Sequence, residues 1–201
     1  PMAPPARRSL WIVYLAVFVD LLGVALVVPN LVHRFRELGG SPSSFGVLSS
    51  AYAASQLVGG LLIGYLGDRV IGRKKTLLIS FVGAGVSYLV VGLTHTLPLL
   101  VVSRVLVGLT KQTMTVSTAL VAELTSEEVR TESLGRLSSA TTLAFTLGQS
   151  AGGLMVKYFG SRLPCVTASM LFALDFLLVA ACLPESSEGG GASLASAAVS
   201  K

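Results

Sequence analysis

The sequence predicts an all-α membrane protein built on six transmembrane helices, and three observations carry that expectation. Of the 201 residues, 52% are apolar and only 12% are charged, whereas an average soluble domain is about 25% charged. The mean hydropathy is +0.76. The apolar residues fall in runs of about twenty, the length a helix needs to cross a ~30 Å hydrocarbon core. Rich in Leu, Ala and Gly and lacking two-residue alternation, these runs do not suit the strands of a closed barrel. The net charge of +5 does not indicate nucleic acid, because the cations are not gathered on one amphipathic or disordered arm.

The first span is read over residues 10–30. Arg7 and Arg8 precede it as they would in a signal peptide. The run is too long for a signal h-region, however, carries Asp20 at its middle and lacks a small-x-small cleavage site, so it reads as a retained helix. The second span covers residues 45–66, with Gly60 and Gly64 spaced for close helix packing. A short basic segment follows, Gly64-Tyr65-Leu66-Gly67-Asp68-Arg69-Val70-Ile71-Gly72-Arg73-Lys74-Lys75. It lies between two spans and therefore at a membrane surface. Its glycines allow a tight reversal, and Asp68 is placed to cap the helix that follows. The third span is residues 76–93 and the fourth residues 97–121. In the charged connection after the fourth, Thr125 and Glu128 form a capping box that opens a short helix. The fifth span is residues 137–158 and the sixth residues 163–183. Cys165 and Cys182 mark the two ends of the sixth span, about 25 Å apart at 1.5 Å per residue, too far to bridge.

Residues 1–9 are expected to form a cytoplasmic N-terminus, residues 10–183 the bundle, and residues 184–201 a low-complexity linker of Gly, Ser and Ala. A start on Pro1 and an end on that linker suggest a fragment or a truncated gene product. Orientation follows from Lys and Arg. With the N-terminus inside, the inner segments hold Arg7, Arg8, Arg69, Arg73, Lys74, Lys75, Arg130, Arg136 and Lys201, and the outer ones Arg34, Arg36, Lys157 and Arg162. That bias places both termini in the cytoplasm.

Charge inside the bilayer needs an explanation, because an Asp, Lys or Arg at mid-helix costs roughly 2.5–3.5 kcal/mol on insertion scales. Asp20, Arg104, Lys111 and Asp175 are such residues. Two acids and two bases either neutralise one another or mark a pathway for solute or protons. An aspartate in an apolar, partly wetted site can trade protons with water near neutrality. Arg104 stays charged, so its role is electrostatic. Four residues on, Gly108 lies on the same face and leaves room for a close helix contact. Lys111 and Gln112 lie two turns further along.

The basic segment resembles the signature loop between helices 2 and 3 of the major facilitator superfamily of transporters, Gly-x-Leu-x-Asp-Arg-x-Gly-Arg-Lys/Arg. It departs by one extra residue, Val70-Ile71 standing where the family has one. Asp20-Leu21-Leu22-Gly23 through Pro29 is similar to the helix 1 motif of the drug:proton antiporter, tetracycline-efflux-like branch. Arg104-Val105-Leu106-Val107-Gly108 resembles the family's Arg-x-x-x-Gly on helix 4. Gly148-Gln149-Ser150-Ala151-Gly152-Gly153 resembles the helix 5 motif Gly-Pro-x-x-Gly-Gly, with Gln149 in place of the kinking proline. Glu123 to Gly135 resembles the acid-x-x-x-x-Glu-x-Arg-x-x-x-x-Gly pattern after helix 4, and Leu183-Pro184-Glu185-Ser186 the end of helix 6.

The resemblance implies the N-terminal six-helix half of such a transporter, moving a small solute by alternating access and coupled to protons. On that basis Asp20, Arg104, Lys111, Gln149 and Asp175 belong to a substrate or proton pathway. Gly64, Asp68, Arg69, Gly72, Arg73, Lys74, Glu123 and Arg130 belong to a gating loop, in which Arg73 reaches Glu123. The expected partners are a small-molecule substrate, protons, the lipid bilayer and a second six-helix half. A non-transporting receptor or regulator on the same scaffold is the alternative. An enzyme is not expected: His33 and His95 fall at membrane edges, no Gly-x-Ser-x-Gly occurs, and no cluster has metal-ligand spacing. Neither cofactor nor metal is implied.

Overall fold

The computed structural model describes residues 4–183, without the side chains of residues 4–6, Leu66, Asp68 and Arg69. The expected linker over residues 184–201, and roles assigned to the Asp68 and Arg69 side chains, lie outside the described residues. Everything described is helix and short connection: α1 Pro4–Glu37, α2 Pro42–Leu66, a π turn Gly67–Ile71, α3 Arg73–Leu93, α4 Leu97–Thr110, α5 Thr113–Leu124, α6 Glu127–Phe159 and α7 Leu163–Cys182. Five stretches are long and apolar enough to cross a membrane: Arg7–Glu37, Pro42–Tyr65, Arg73–Leu93, Leu97–Leu124 and Leu163–Cys182. The helix α6 is long enough at 33 residues but carries too many Ser, Thr and charged residues to be as apolar as the others.

The helix α1 runs past Pro29 to Glu37 instead of ending near Asn30. Its 34 residues span about 51 Å at 1.5 Å per residue, more than the ~30 Å hydrocarbon core. The overshoot is anchored. The Asn30 amide donates to the Ser161 carbonyl at 2.5 Å, and the buried Arg34 guanidinium donates to the carbonyls of Val91, Gly92 and Thr94 at 3.4, 3.3 and 2.7 Å. Arg34 thereby satisfies carbonyls that the end of α3 leaves without helical partners. The next helix, α2, opens on a reciprocal cap: the Ser41 hydroxyl accepts from the Ser44 N–H at 3.2 Å, and the Ser44 hydroxyl accepts from the Ser41 N–H at 2.9 Å.

The basic segment holds the extra residue of the family pattern within the five-residue π turn. A one-residue insertion is what a π turn accommodates, since it carries i→i+5 bonding in place of i→i+4. Gly72 then takes φ +81°, a left-handed conformation that favours glycine, and occupies the N-cap position of α3. Asp68 therefore does not hold the cap position expected of it; it lies within the π turn, four residues too early. Gly160 makes the corresponding left-handed turn after α6, at φ +85°.

Two further expectations are corrected. The fourth span is not continuous. It breaks at Lys111 and Gln112, where Lys111 has ψ 91° and the Gln112 N–H donates to the Ser80 hydroxyl of α3 at 3.0 Å instead of to a helical carbonyl. The Thr125–Glu128 capping box and its short helix do not form either. The Thr125 hydroxyl turns back to the Val121 carbonyl at 2.6 Å, Ser126 takes the cap position without a side-chain cap bond, and α6 continues unbroken through the fifth span.

Packing centres on α1, whose most extensive contacts are with α6 and then α7, while α3 packs on α7 and α4, and α2 on α4. Small residues set the closest approaches. A Cβ on Gly152 would lie 2.2 Å from the Leu26 carbonyl oxygen of α1, and one on Gly148 2.5 Å from Ala25 Cβ. Gly108 meets α2, with Ser55 Oγ 1.9 Å from its missing Cβ, as the Arg-x-x-x-Gly spacing leads one to expect. On α2 the contact residue is Gly59 against Leu109, whereas Gly64 has nothing within 4 Å. The Gly60/Gly64 pair is thus not the packing seam.

Two predictions follow from these contacts. Replacing Arg34 with Ala strands three carbonyls; a charge-assisted hydrogen bond is worth about 1.5–3 kcal/mol, and the expected loss is on the order of 2 kcal/mol, read as a lower thermal unfolding midpoint in detergent. An unchanged midpoint would show that the clasp is ornamental. Deleting Ile71 should convert the π turn to an ordinary helical turn and leave folding intact, checked by the size-exclusion profile in detergent; loss of the monodisperse peak would refute the one-residue alignment.

Candidate functional site

The fourth span breaks where it meets Asp20. The carboxylate of Asp20, on α1, is 0% exposed. Its Oδ1 accepts from Lys111 Nζ at 2.5 Å and from the Thr113 hydroxyl at 3.2 Å. Lys111 is the residue that terminates α4, and Thr113 is the first residue of α5. The ammonium therefore lies at the negative end of one helix and the carboxylate at the positive end of the next. A buried pair of this kind is destabilising when one partner is removed, by about 3–5 kcal/mol, because the remaining charge is stranded. The Oδ2 atom of Asp20 has no partner.

An aromatic stack carries the site across to the second cation. Lys111 Nζ lies 4.9 Å from the centre of the Phe172 ring. Phe172, on α7, stacks on Tyr88 of α3 with centroids 5.3 Å apart and planes at 9°. Arg104 covers the Tyr88 ring at 4.6 Å and donates to the Ser87 hydroxyl at 3.2 Å, which in turn donates to the Ser103 carbonyl at 2.7 Å. Both cations are thus placed over aromatic faces, an arrangement worth about 2 kcal/mol or more when desolvated. Arg104 has no carboxylate among its hydrogen-bond partners, and its Nε is buried without a partner.

One turn above Phe172 on α7, Asp175 is also 0% exposed, and neither of its carboxyl oxygens has a hydrogen-bond partner. It lies within Coulombic range of both Asp20 and Lys111. The structure therefore brings Asp20, Lys111 and Asp175 into one group and joins Arg104 to it through the aromatic pair. Gln149 is elsewhere. It is exposed on α6 in a polar stripe with Ser138, Thr142, Thr146 and Ser150.

The loop residues form a separate assembly at the end of the bundle. Arg73 pairs with the Glu123 carboxylate and donates to the Ala119 carbonyl at 3.1 Å, both on α5. Lys74 donates to the Ala180 carbonyl near the end of α7 at 3.0 Å. Arg130 is half-buried in the first turn of α6 with its Nε unpartnered. Gly72 makes the left-handed turn described above, whereas Gly64 lies inside α2 and makes no reversal. Sequence reasoning missed Thr113, Phe172 and Tyr88. Thr113 could have been found, since Thr110-Lys111-Gln112-Thr113 interrupts the apolar fourth span with four polar residues in a row. The aromatic pair carried no local signal. Among the described residues, no three His, Cys, Asp or Glu side chains gather as a metal site.

The chain matches the Major Facilitator Superfamily over residues 13–199. It is 31% identical over 187 residues to a tetracycline resistance protein, class C, of Escherichia coli, an alignment covering 92% of this chain and 47% of that protein. It is 32% identical over 167 residues to multidrug resistance protein 2 of Bacillus subtilis (strain 168), covering 82% of this chain and 41% of that one. Among solved structures, the human organic anion transporter MFSD10 (TETRAN) superposes with a TM-score of 0.79 at 25% identity, covering 91% of this chain and 49% of that one. The chain spans about half the length of the relatives it matches. Members of this family are multi-pass membrane transporters, not enzymes. On the family match over residues 13–199 and the superposition on a solved transporter, this chain belongs to the Major Facilitator Superfamily.

Proposed function

We propose that this chain is the first six-helix half of a transporter that moves a small solute by alternating access, coupled to protons, with both termini of the segment in the cytoplasm. The observation that carries the reading is the buried Asp20–Lys111 pair beside Asp175. Three ionisable groups in the middle of a bundle built for lipid are expensive, and a purely structural core would be better served by packed apolar side chains. Resistance and transport proteins among the relatives support the same reading. Asp20 is the group whose protonation would break the pair with Lys111 and change the charge of the bundle interior.

The solute would pass between this half and a second one. The polar stripe of α6, with Gln149 near its C-terminal end, is exposed in a chain whose other exposed faces are mostly apolar, so it suits a water-lined path better than lipid. Arg73, Glu123, Lys74, Asp68, Arg69 and Arg130 would form the gate at the cytoplasmic end. A partly exposed ion pair such as Arg73–Glu123 is worth about 1 kcal/mol or less, which suffices to bias two conformers separated by only a few kcal/mol.

Two experiments test this. In proteoliposomes holding the complete transporter, Asp20→Asn should abolish the uptake driven by a pH gradient while leaving gradient-free exchange measurable. Unchanged proton-driven flux in the variant overturns the assignment of Asp20. For the gate, Arg73→Glu and Glu123→Arg should each slow transport by up to about fivefold, the equivalent of a ~1 kcal/mol pair, and the double exchange should recover most of the rate. Failure of the double variant to recover removes the pair from the gate.

A further inference from the structure

The charge count of the buried cluster is unbalanced. It holds two carboxyl groups, Asp20 and Asp175, and one ammonium, Lys111, and the hydrogen bonds are divided just as unevenly. Asp20 receives both donors, from Lys111 and Thr113. Asp175 receives none, although it is 0% exposed. A carboxylate buried with no hydrogen-bond donor and no directly paired cation is unfavourable in a low-dielectric interior, where such a group tends to be neutral. With a proton on Asp175 the three groups sum to zero charge.

The surroundings allow the roles of the two acids to be exchanged. Lys111 is not locked in a helix; it terminates α4 with a non-helical ψ of 91°. Its ammonium already rests 4.9 Å from the Phe172 ring centre, and Phe172 is three residues before Asp175 on the same face of α7. The titratable and charged groups that face the cluster are Asp20 of α1, Tyr52 of α2, Tyr88 of α3, Arg104 and Lys111 of α4, and Asp175 of α7. Among these, Lys111 is the cation that pairs with Asp20 and acts on Asp175 as well.

We infer that Asp20, Lys111 and Asp175 form a single proton-binding site in which one exchangeable proton is shared by two carboxyls and Lys111 pairs with whichever is ionised. In the arrangement seen here Asp175 holds the proton and Asp20 the ammonium. In the other, the O–H bond on Asp175 breaks, an O–H bond forms on Asp20, and Lys111 Nζ crosses to Asp175. Charge is conserved throughout: one carboxylate, one carboxylic acid, one ammonium. The cluster thus exchanges its ion pair between α1 and α7 without exposing a net charge to the bilayer. This inference deepens the proton-coupled reading above.

Infrared spectroscopy of the purified complete protein in an ester-free maltoside detergent reads the protonated carboxyl directly, without reference to transport. At neutral pH the unmodified protein should show one buried protonated carboxyl, and Asp175→Asn should remove it. Asp20→Asn should remove it too, because Lys111 then has only Asp175 to pair with and ionises it. Lys111→Met should instead raise the signal to two carboxyls. Should Asp20→Asn fail to fold, judged by size exclusion, Lys111→Met carries the same test in the opposite direction. Zero or two protonated carboxyls in the unmodified protein, persistence of the band in Asp20→Asn, or no increase in Lys111→Met would each overturn the shared site. Loss of proton-driven uptake in Asp20→Asn with an unaltered carboxyl band would leave proton coupling intact and dismiss only the sharing.

Discussion

A lysine in the middle of a lipid-embedded bundle must be neutralised, and the Asp20–Lys111 contact is the constraint around which the rest of this structure is arranged. It accounts for the break in the fourth span. Lys111 reaches Asp20 on α1 by ending α4, and the backbone group exposed by the break is taken up by Ser80 of α3 through the Gln112 N–H. Ser80 in turn shares a 3.0 Å hydrogen bond with Thr113, and Thr113 bonds Asp20. A polar ring therefore runs from α1 to α5 to α3 and back to α4. Each member satisfies a group that would otherwise be stranded in an apolar interior, where an unpaired polar atom costs about twice what a hydrogen bond returns.

The second cation is held differently. Arg104 sits on Tyr88 and bonds Ser87, with the Phe172 ring between Tyr88 and Lys111. Two cations at opposite ends of one aromatic stack repel each other less than they would at direct contact, and each gains the negative face of a ring. The stack also fixes α7 against α3, so that Asp175, one turn from Phe172, is carried to the same level as Asp20. Charge placement and helix packing are one arrangement here: moving Phe172 would displace both the lysine and the second carboxyl.

Helix existence was legible in the sequence because run length and composition dictate it in lipid, where every backbone group must be satisfied internally. The paired Arg73 and Glu123, the intramembrane charges and the close approach at Gly108 were legible as well, each from a local spacing. The interruption at Lys111 was not read, since a short polar run can also sit inside a continuous helix when neighbouring helices satisfy it; the Ser80 partner on α3 is what ends the helix here. Thr125 misled for the same reason. Its hydroxyl had two acceptable uses, forward to cap α6 or backward to the Val121 carbonyl, and local spacing does not rank them. The position of Asp68 was displaced by the inserted residue, which a linear motif shows as a gap and the backbone resolves as a π turn. Phe172 and Tyr88 looked like any apolar-face aromatics, because their stacking joins residues 84 positions apart.

The break has one further mechanical consequence, which concerns α5. Its twelve residues make a rod of about 18 Å with a named contact at each end. Thr113 at its start bonds Asp20 in the middle of the bundle, and Ala119 and Glu123 near its finish bond Arg73 at the surface. Freed from α4 by the two non-helical residues, this short helix is a separate body with both ends tied. A helix of that length transmits displacement along its axis more readily than it bends, since bending would stretch its own hydrogen bonds. The buried Asp20 contact and the partly exposed Arg73–Glu123 pair are thus held by the two ends of one short helix. The surface loop and the buried charges are connected by a single rigid element, and the break at Lys111 is what makes that element independent of α4.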